Sequence, residues 1–310
     1  MRILVTGGAG FIGSHITEHF ATHEDFEVNI IDNFFTGRRE NIAHLPVNIF
    51  EGDVLDNEVL DKALEGVDYV FHLAGRVSVP ESIENPILYV TINTAGTVNV
   101  LQRASKAGVK KVIFTSSASI YGNNPTLPKS ETMNPEPLSP YAVSKLSGEQ
   151  HMETLSDSLG VKTTSLRYFN VFGPRQNPKS KATYAAAVPM FIMRALHNQD
   201  ITIYGDGSQT RDYIYVKDIA HANEVAMKSG EGIYNVGRGD TISINELAHQ
   251  IVKLTNSSSK ILYADDRPGD IKHSCSDISR LSALGFDPKY PWKQGLKETI
   301  DYYIEHFYEK

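Results

Sequence analysis

Arg2-Ile3-Leu4-Val5-Thr6-Gly7-Gly8-Ala9-Gly10-Phe11-Ile12-Gly13, continued by the helical stretch 14–21, reads as strand, glycine loop and helix. Ile3 to Val5 is a short apolar run closed by glycines, the pattern of a buried strand. Glycines in this setting permit a tight turn, let backbone approach a pyrophosphate, and allow the helix to pack close to the strand. The helix N-terminus then offers N–H groups to phosphate oxygens. Val28-Asn29-Ile30-Ile31-Asp32 follows as a second strand ending in an acid. Asp32 stands about 20 residues past Gly13, where a carboxylate accepts ribose hydroxyls and repels a 2′-phosphate. The expected ligand is NAD rather than NADP, with Arg38 and Arg39 as the counter-indication unless they are solvated loop charges. The plainer alternative is a strand–helix turn that holds no ligand.

Outward from this stretch the pattern repeats. Strand 47–51 leads to Gly52-Asp53-Val54, and 57–65 reads as a helix. Strand 68–73 ends at Ala74-Gly75, 86–106 reads as one long helix, and strand 111–115 runs into Ser116-Ser117. After a helix from Ser139 comes strand 162–168. Alternation of this kind predicts an α/β fold, a doubly wound parallel Rossmann sheet, with ligands at the carboxyl ends of the strands. Asp32, Asp53, Gly75 and Ser117 all fall at such ends.

Beyond Tyr168 the texture changes. Residues 170–184 read as a long loop, a feature that is usually functional in compact domains. Helices are expected over 185–198, 219–228, 245–255 and 293–308, and strands over 201–204, 213–216 and 260–263. The expected division is an NAD-binding domain over 1–170 and a smaller, partly interleaved α/β domain for substrate over 171–310. Residues of about 212–236 are expected to return to the first domain. Arg211 and Arg267 suit a clamp on a diphosphate, because guanidinium binds phosphate oxygens bidentately. Their alternative is local pairing with Asp212, or with Asp265 and Asp266.

Ser139-Pro140-Tyr141-Ala-Val-Ser-Lys145 looks like a helix start, with Ser139 as cap and Pro140 in the first turn. Tyr141 and Lys145 then share a helix face, and an ammonium beside a phenol favours phenolate. The chain has 15 Tyr, so the spacing alone is weak. Tyr213 and Lys217 share it, but in an alternating, strand-like segment, where such positions lie about 13 Å apart. Lys145 could instead pair with Glu149 on a solvated face.

The 310 residues are 41% hydrophobic and 22% charged, ample for a core, and a net charge of −7 argues against nucleic acid or an anionic membrane as partner. A single Cys275 excludes an internal disulfide framework and suits a reducing, cytoplasmic setting. No apolar run approaches the roughly 18 residues of a membrane span, and the N-terminus does not read as a secretory signal. His15-Ile-Thr-Glu18-His19 fits an H-x-x-E-H zinc pattern, with His23 extending the stripe. It lies on the helix after the glycine loop, so a polar stripe on that helix's outer face is expected, and no metal.

The glycine loop Thr6–Gly13, Ser116-Ser117 with Tyr121-Gly122, Tyr141-x-x-x-Lys145, Leu166-Arg-Tyr-Phe-Asn170 and Arg211-Asp-Tyr-Ile-Tyr-Val216 together resemble the extended short-chain dehydrogenase/reductases. The resemblance is greatest to the nucleotide-sugar 4-epimerases that act on UDP-glucose and UDP-N-acetylglucosamine, and it covers essentially the whole chain. It implies Tyr141 as base, Lys145 as its partner and ribose contact, and Ser117 as the hydroxyl that orients the sugar oxygen. It implies NAD contacts at Gly7, Gly10, Phe11, Ile12, Gly13, Asp32, Asn33, Thr36, Gly37, Asp53, Val54, Leu73, Ala74, Gly75, Asn93, Tyr141, Lys145 and Phe169. It implies UDP-sugar contacts at Ser78, Ser117, Tyr141, Asn170, Val188, Thr202, Ile203, Tyr204, Arg211, Arg267, Asp270 and Ser274. It also implies a homodimer through the helices carrying Asn93 and Tyr141.

Two departures narrow the activity. Related dehydratases and decarboxylases carry an acid just after the Ser117 position, where this chain has Ala118 and Ser119. Where a bulky aromatic narrows the family's sugar pocket, this chain has Ser274, which leaves room for an N-acetyl group. The implied activity is 4-epimerisation of UDP-hexoses, N-acetylated ones included. The alternatives are a glucuronate epimerase, dehydratase, decarboxylase or 4-keto reductase, or a non-catalytic NAD-binding regulator.

Overall fold

Ile3, Leu4 and Val5 are fully buried, as a strand covered on both faces requires. The computed structural model describes residues 1–178, 186–266 and 271–308. In chain order the strands are β1 Arg2–Thr6, β2 Glu27–Asp32, β3 Val47–Glu51, β4 Tyr69–His72, β5 Lys111–Ser117, β6 Lys162–Tyr168 and β7 Asn170–Phe172. They continue as β8 Ile201–Tyr204, β9 Thr210–Arg211, β10 Tyr213–Tyr215, β11 Gly232–Val236, β12 Ile242–Ser243 and β13 Ile261–Ala264. The helices are α1 Phe11–Ala21, α2 Asn57–Ala63, α3 Val79–Glu84, α4 Pro86–Tyr89, α5 Gly96–Lys106 and α6 Pro140–Leu159. The later ones are α7 Ala187–Leu196, α8 Val216–Ser229, α9 Ile244–Thr255, α10 Ser279–Ser282 and α11 Trp292–His306.

Seven strands form a parallel sheet in the order β11-β6-β5-β4-β1-β2-β3. Side-chain alternation divides its core. Ile3 and Val5 join Ile16, Phe20 and Ile219 on the face covered by α1 and α8. Leu4 joins Leu60, Leu101 and Met152 under α2, α5 and α6. The chain runs outward from β1 through β2 to β3, and β4 then returns to the other side of β1, so a crevice opens at the carboxyl end of β1. A second core gathers Phe172, Phe191, Ile192, Tyr213, Leu247, Leu296 and Tyr303 from α7, α9, α11 and the short strands. Among the described residues those strands pair in twos, β7 with β10, β9 with β12, and β8 with β13, with Thr210 of β9 also bridging His273.

The doubly wound sheet is as the alternation predicted, and several local expectations need correction. The helix expected over 86–106 is interrupted by a π-helical turn, Val90–Ala95, that turns the Asn93 side chain inward. Helix α8 starts at Val216, so Lys217 lies in its first turn and not on a strand. Two of the three histidines of the stripe are not on an outer face, because the loop after β7 covers His15 and α8 meets His19, while His23, beyond α1, is exposed. His15 is buried, its Nε2–H donating to the Pro174 carbonyl at 3.1 Å, and burial pushes its pKa down to about 3. His19 meets Glu224 of α8 at 2.8 Å. Glu149 is buried rather than solvated. Its carboxylate accepts from Arg167 Nε at 2.9 Å and Nη2 at 2.7 Å, and Arg167 also donates to the Tyr121 hydroxyl. Among the described residues no helix is long and apolar enough to cross a membrane, and no group of His, Cys, Asp and Glu could hold a metal ion.

Candidate active site

The glycine loop turns as tightly as its composition allows. Gly7 has φ +70, and a Cβ there would stand 3.0 Å from the Ala74 nitrogen. A Cβ at Gly13 would fall 2.1 Å from the Gly7 carbonyl oxygen. Glycine at both points lets α1 begin directly at the end of β1. Gly10 caps α1 without a side-chain hydrogen bond, so among the described residues no cap side chain covers the N–H groups of Phe11 and Ile12. Those groups and the positive end of the helix fit a diphosphate.

Asp32 closes β2 beside this loop. Its carboxylate accepts from the backbone of Ala9 at 2.9 Å and Phe34 at 2.8 Å, while burial pushes its pKa up. A Cβ at Gly37 would stand 2.8 Å from both carboxylate oxygens, so glycine leaves that side open to ribose hydroxyls. Thr36 is exposed in the same loop. Asn33 donates to Asp53 at 2.9 Å, and Val54 is buried beside them under Asn99. Arg38 and Arg39 have acidic partners in Glu40 and Glu51, in keeping with loop charges. The residues present therefore fit a dinucleotide without a 2′-phosphate.

A buried chain of hydrogen bonds sets the opposite wall. The N–H groups of Leu73 and Ala74 donate to Thr6 Oγ1 at 3.1 and 3.0 Å. Thr6 Oγ1 meets His72 Nδ1 at 2.8 Å, and His72 Nε2 meets Thr97 Oγ1 at 3.0 Å. The Thr97 hydroxyl donates to the Asn93 carbonyl at 2.6 Å, so Thr97 must accept from His72 Nε2–H, and one tautomer satisfies the chain. Burial pushes the His72 pKa down to about 3 and keeps it neutral. Asn93 then grips the Arg76 backbone at 2.7 and 2.9 Å and donates to Ser144 of α6 at 2.9 Å.

The three chemical side chains converge at the end of β5. Ser139 caps α6 by accepting from Ala142, as its sequence predicts, and Tyr141 and Lys145 lie on the inner side of that helix. The Ser117 hydroxyl accepts from the Ser119 N–H at 3.1 Å and lies near enough to the Tyr141 phenol to favour its ionised form. Lys145 is buried and donates to the Thr115 carbonyl at 2.8 Å, with Gly75 and Asn93 beside it. One expectation fails here. Lys145 was to draw the Tyr141 pKa down, but burial pushes it up, with the nearby Ser117 hydroxyl opposing. The same burial pushes Lys145 down to about 8. Desolvation outweighs attraction because the ammonium is turned to Thr115 and not to the phenol.

Two residues past Tyr168, the β6 neighbour of Ser117, a cavity of about 260 Å³ begins at Asn170. Val188, Thr202, Ile203, Tyr204 and Arg211 line it as well, so six residues expected to hold substrate come together. Asp212 is not simply Arg211's neighbour in charge, since its carboxylate accepts from the backbone of Arg238, Gly239 and Ser276. Ser78 caps α3 near Arg76, away from this cavity, and Phe169 packs against Tyr121. Ser274 sits on the segment that bridges Thr210, its N–H donating to the Thr210 carbonyl at 3.1 Å. Arg267 and Asp270 lie outside the described residues. The cavity also takes in Gln176, Pro189, Phe191, Gln209 and Tyr213, which the sequence reading missed. Tyr213 was within reach: it lies two residues from Arg211 in an extended segment, hence on the same face.

The model of the NAD dependent epimerase/dehydratase family matches residues 3–237. The chain belongs to that family. NAD is the family's cofactor, as the glycine loop and Asp32 require. A family member from Methanobrevibacter ruminantium M1, a UDP-N-acetylglucosamine 4-epimerase solved with UDP-N-acetylmuramic acid, is 41% identical, with 99% of each chain covered and a TM-score of 0.94. The UDP-glucose 4-epimerase of Thermotoga maritima, solved with UDP-glucose, is 37% identical, covering 98% of this chain and 99% of that one, with a TM-score of 0.92. A UDP-N-acetyl-alpha-D-glucosaminuronate decarboxylase of Bacillus cytotoxicus is also 37% identical, with 98% of each chain covered.

Proposed function

We propose that this family member is an isomerase that interconverts UDP-hexoses epimeric at C4, N-acetylated sugars included. The observation that carries the reading is the meeting of Ser117, Tyr141 and Lys145 beside Gly75, with a nucleotide-sized cavity starting two residues beyond the strand that flanks Ser117. Bound NAD supplies a reversible hydride acceptor. With the positive charge of bound NAD added to that of Lys145, Tyr141 would ionise, take the proton of the sugar 4-OH and later return it, while the Ser117 hydroxyl orients that oxygen. Lys145 holds the ribose and the local positive charge. Arg211, with Arg267, grips the diphosphate, and Asn170, Val188, Thr202, Ile203 and Tyr204 hold the nucleoside. The sugar is then free to turn while its far end stays fixed, and C4, planar as a ketone, can take its hydrogen back on either face. Glycine-loop residues, Asp32, Asn33, Thr36, Gly37, Asp53, Val54, Leu73, Ala74, Asn93 and Phe169 are assigned to the cofactor, and Ser78 to the sugar.

The decarboxylase relative marks the second reading. Ala118 and Ser119, where an acid would stand, speak against it. Ser274 supports acceptance of N-acetylated sugars: it is a small residue whose N–H donates to the Thr210 carbonyl, next in the chain to Arg211 of the cavity. A homodimer through α3, the π-turn and the start of α6 is supported by exposed Ile83, Ile87, Val90, Leu138 and Val143 there. We assign a cofactor domain to 1–170 and a UDP-sugar domain to 171–310, with about 212–236 returning to the first; Ile219, Tyr234 and Val236 in the sheet core support the return, while Tyr213, Tyr215 and Val216 pack in the second core and Leu281 and Phe286 in the first.

The test is to incubate the protein with UDP-glucose, UDP-N-acetylglucosamine and UDP-glucuronate and analyse the sugars by NMR. Epimer mixtures without added reductant or released carbon dioxide are expected. A UDP-pentose product would establish the decarboxylase instead. Ser274→Tyr should lower turnover of N-acetylated substrates selectively, and equal loss on both kinds would remove Ser274 as the gate.

A further inference from the structure

Phe35 is 61% exposed, unusual for a large aromatic on a loop with no core to join. Its ring instead carries the Arg76 guanidinium, whose Cζ lies 3.5 Å from the ring centroid. The strand order makes this contact informative. Phe35 follows β2 and Arg76 follows β4, and in the sheet β1 lies between those two strands. A contact between their loops must therefore cross over the carboxyl end of β1, where the glycine loop and the open N-terminus of α1 stand. Neighbouring strands are about 4.8 Å apart, so the pair spans roughly 10 Å above the crevice.

Both halves are held in place before they meet. Phe35 N–H donates to Asn33 Oδ1 at 3.1 Å, and Asn33 is tied to Asp53. The Arg76 backbone is gripped at both ends by Asn93, and its guanidinium reaches Glu81 at 3.2 Å. We propose that Arg76 and Phe35 form a clasp across the dinucleotide crevice that slows release of the bound cofactor. The inference rests on the dinucleotide reading of that crevice. It suits an isomerase in which the cofactor ends each turnover as it began and has no reason to leave.

The test uses protein loaded with labelled NAD and chased with excess unlabelled NAD. Phe35→Ala and Arg76→Ala should each speed release by a factor of at least about 2 to 5, the worth of an exposed cation–π contact. The double variant should release no faster than the quicker single one, because both remove the same contact. Phe35→Tyr should restore slow release. UDP affinity, measured by calorimetry, should be retained in Phe35→Ala, which shows that the fold survives. Unchanged release in Phe35→Ala, or additive effects in the double variant, would remove the clasp and leave the dinucleotide site standing. A wild-type protein that takes up no NAD at all would remove both.

Discussion

Two Tyr-x-x-x-Lys pairs share one spacing and have opposite surroundings. Tyr141 and Lys145 sit one turn apart on α6, and the Lys145 residue is 3% exposed, with Thr115 as its hydrogen-bond partner. Tyr213 ends up in β10, while Lys217 opens α8, with a side chain 45% exposed and paired with Glu298 at 2.9 Å. The first pair is desolvated, so each group is shifted: Tyr141 up, Lys145 down to about 8. The second is divided by a change of secondary structure, and Tyr213 lines the cavity that begins at Asn170. Spacing alone therefore carries little chemistry. What matters is whether one helix holds both groups and whether water reaches them.

The largest difference between the pairs should appear in turnover. Tyr141→Phe is expected to lower kcat by about 10²- to 10⁴-fold, the usual worth of a general base, with UDP affinity kept. Tyr213→Phe should change kcat by only a few fold, since Tyr213 lines the cavity that begins at Asn170 and does not meet Ser117 and Lys145. Near-wild-type turnover in Tyr141→Phe would remove it as the base.

Lys145→Met should lower activity strongly and yet raise Tm, because it removes a buried charge that has, among the described residues, no carboxylate partner within hydrogen-bonding distance. The folded protein loses the Lys145 proton near pH 8, the unfolded chain near about 10.5. The unfolded state thus binds more protons between those values, and the cost of the buried charge disappears as pH rises through the window. Scanning calorimetry from pH 7 to 10.5 should show the Tm advantage of Lys145→Met shrinking as pH rises. An advantage that grew with pH would contradict the burial argument.

The smallest effect belongs to the surface pair. Lys217→Met should change stability by less than about 1 kcal/mol in urea unfolding, the range of an exposed ion pair. A loss of several kcal/mol would mean that Lys217 anchors α8 to α11 far more firmly than its exposure allows.

Local pattern was enough for the cofactor half. Ile3-Leu4-Val5 before Gly7, Gly10 and Gly13 dictates a buried strand, a tight turn and a helix, since only glycine meets the φ and the close approaches found there. Asp32 and the capped start of α6 are equally local, because a strand end and an N-cap are set by a few neighbouring residues. Glu149 was not legible as a buried partner of Arg167, because Arg167 lies on the next element, β6, and only the packing of α6 on the sheet brings them together; nor was His15 as a buried neutral side chain, because Pro174 is remote in sequence.

By itself, then, the sequence determined the doubly wound order, the dinucleotide crevice and the identity of the Tyr141–Lys145 helix. Tertiary structure alone decided which way their pKa values move, which face Tyr213 presents, and that Phe35 reaches Arg76 across β1. The physical reason is the range of the interactions. Propensity, periodicity and capping act within about one turn or strand, whereas desolvation and the contacts across the crevice depend on what the folded chain brings together.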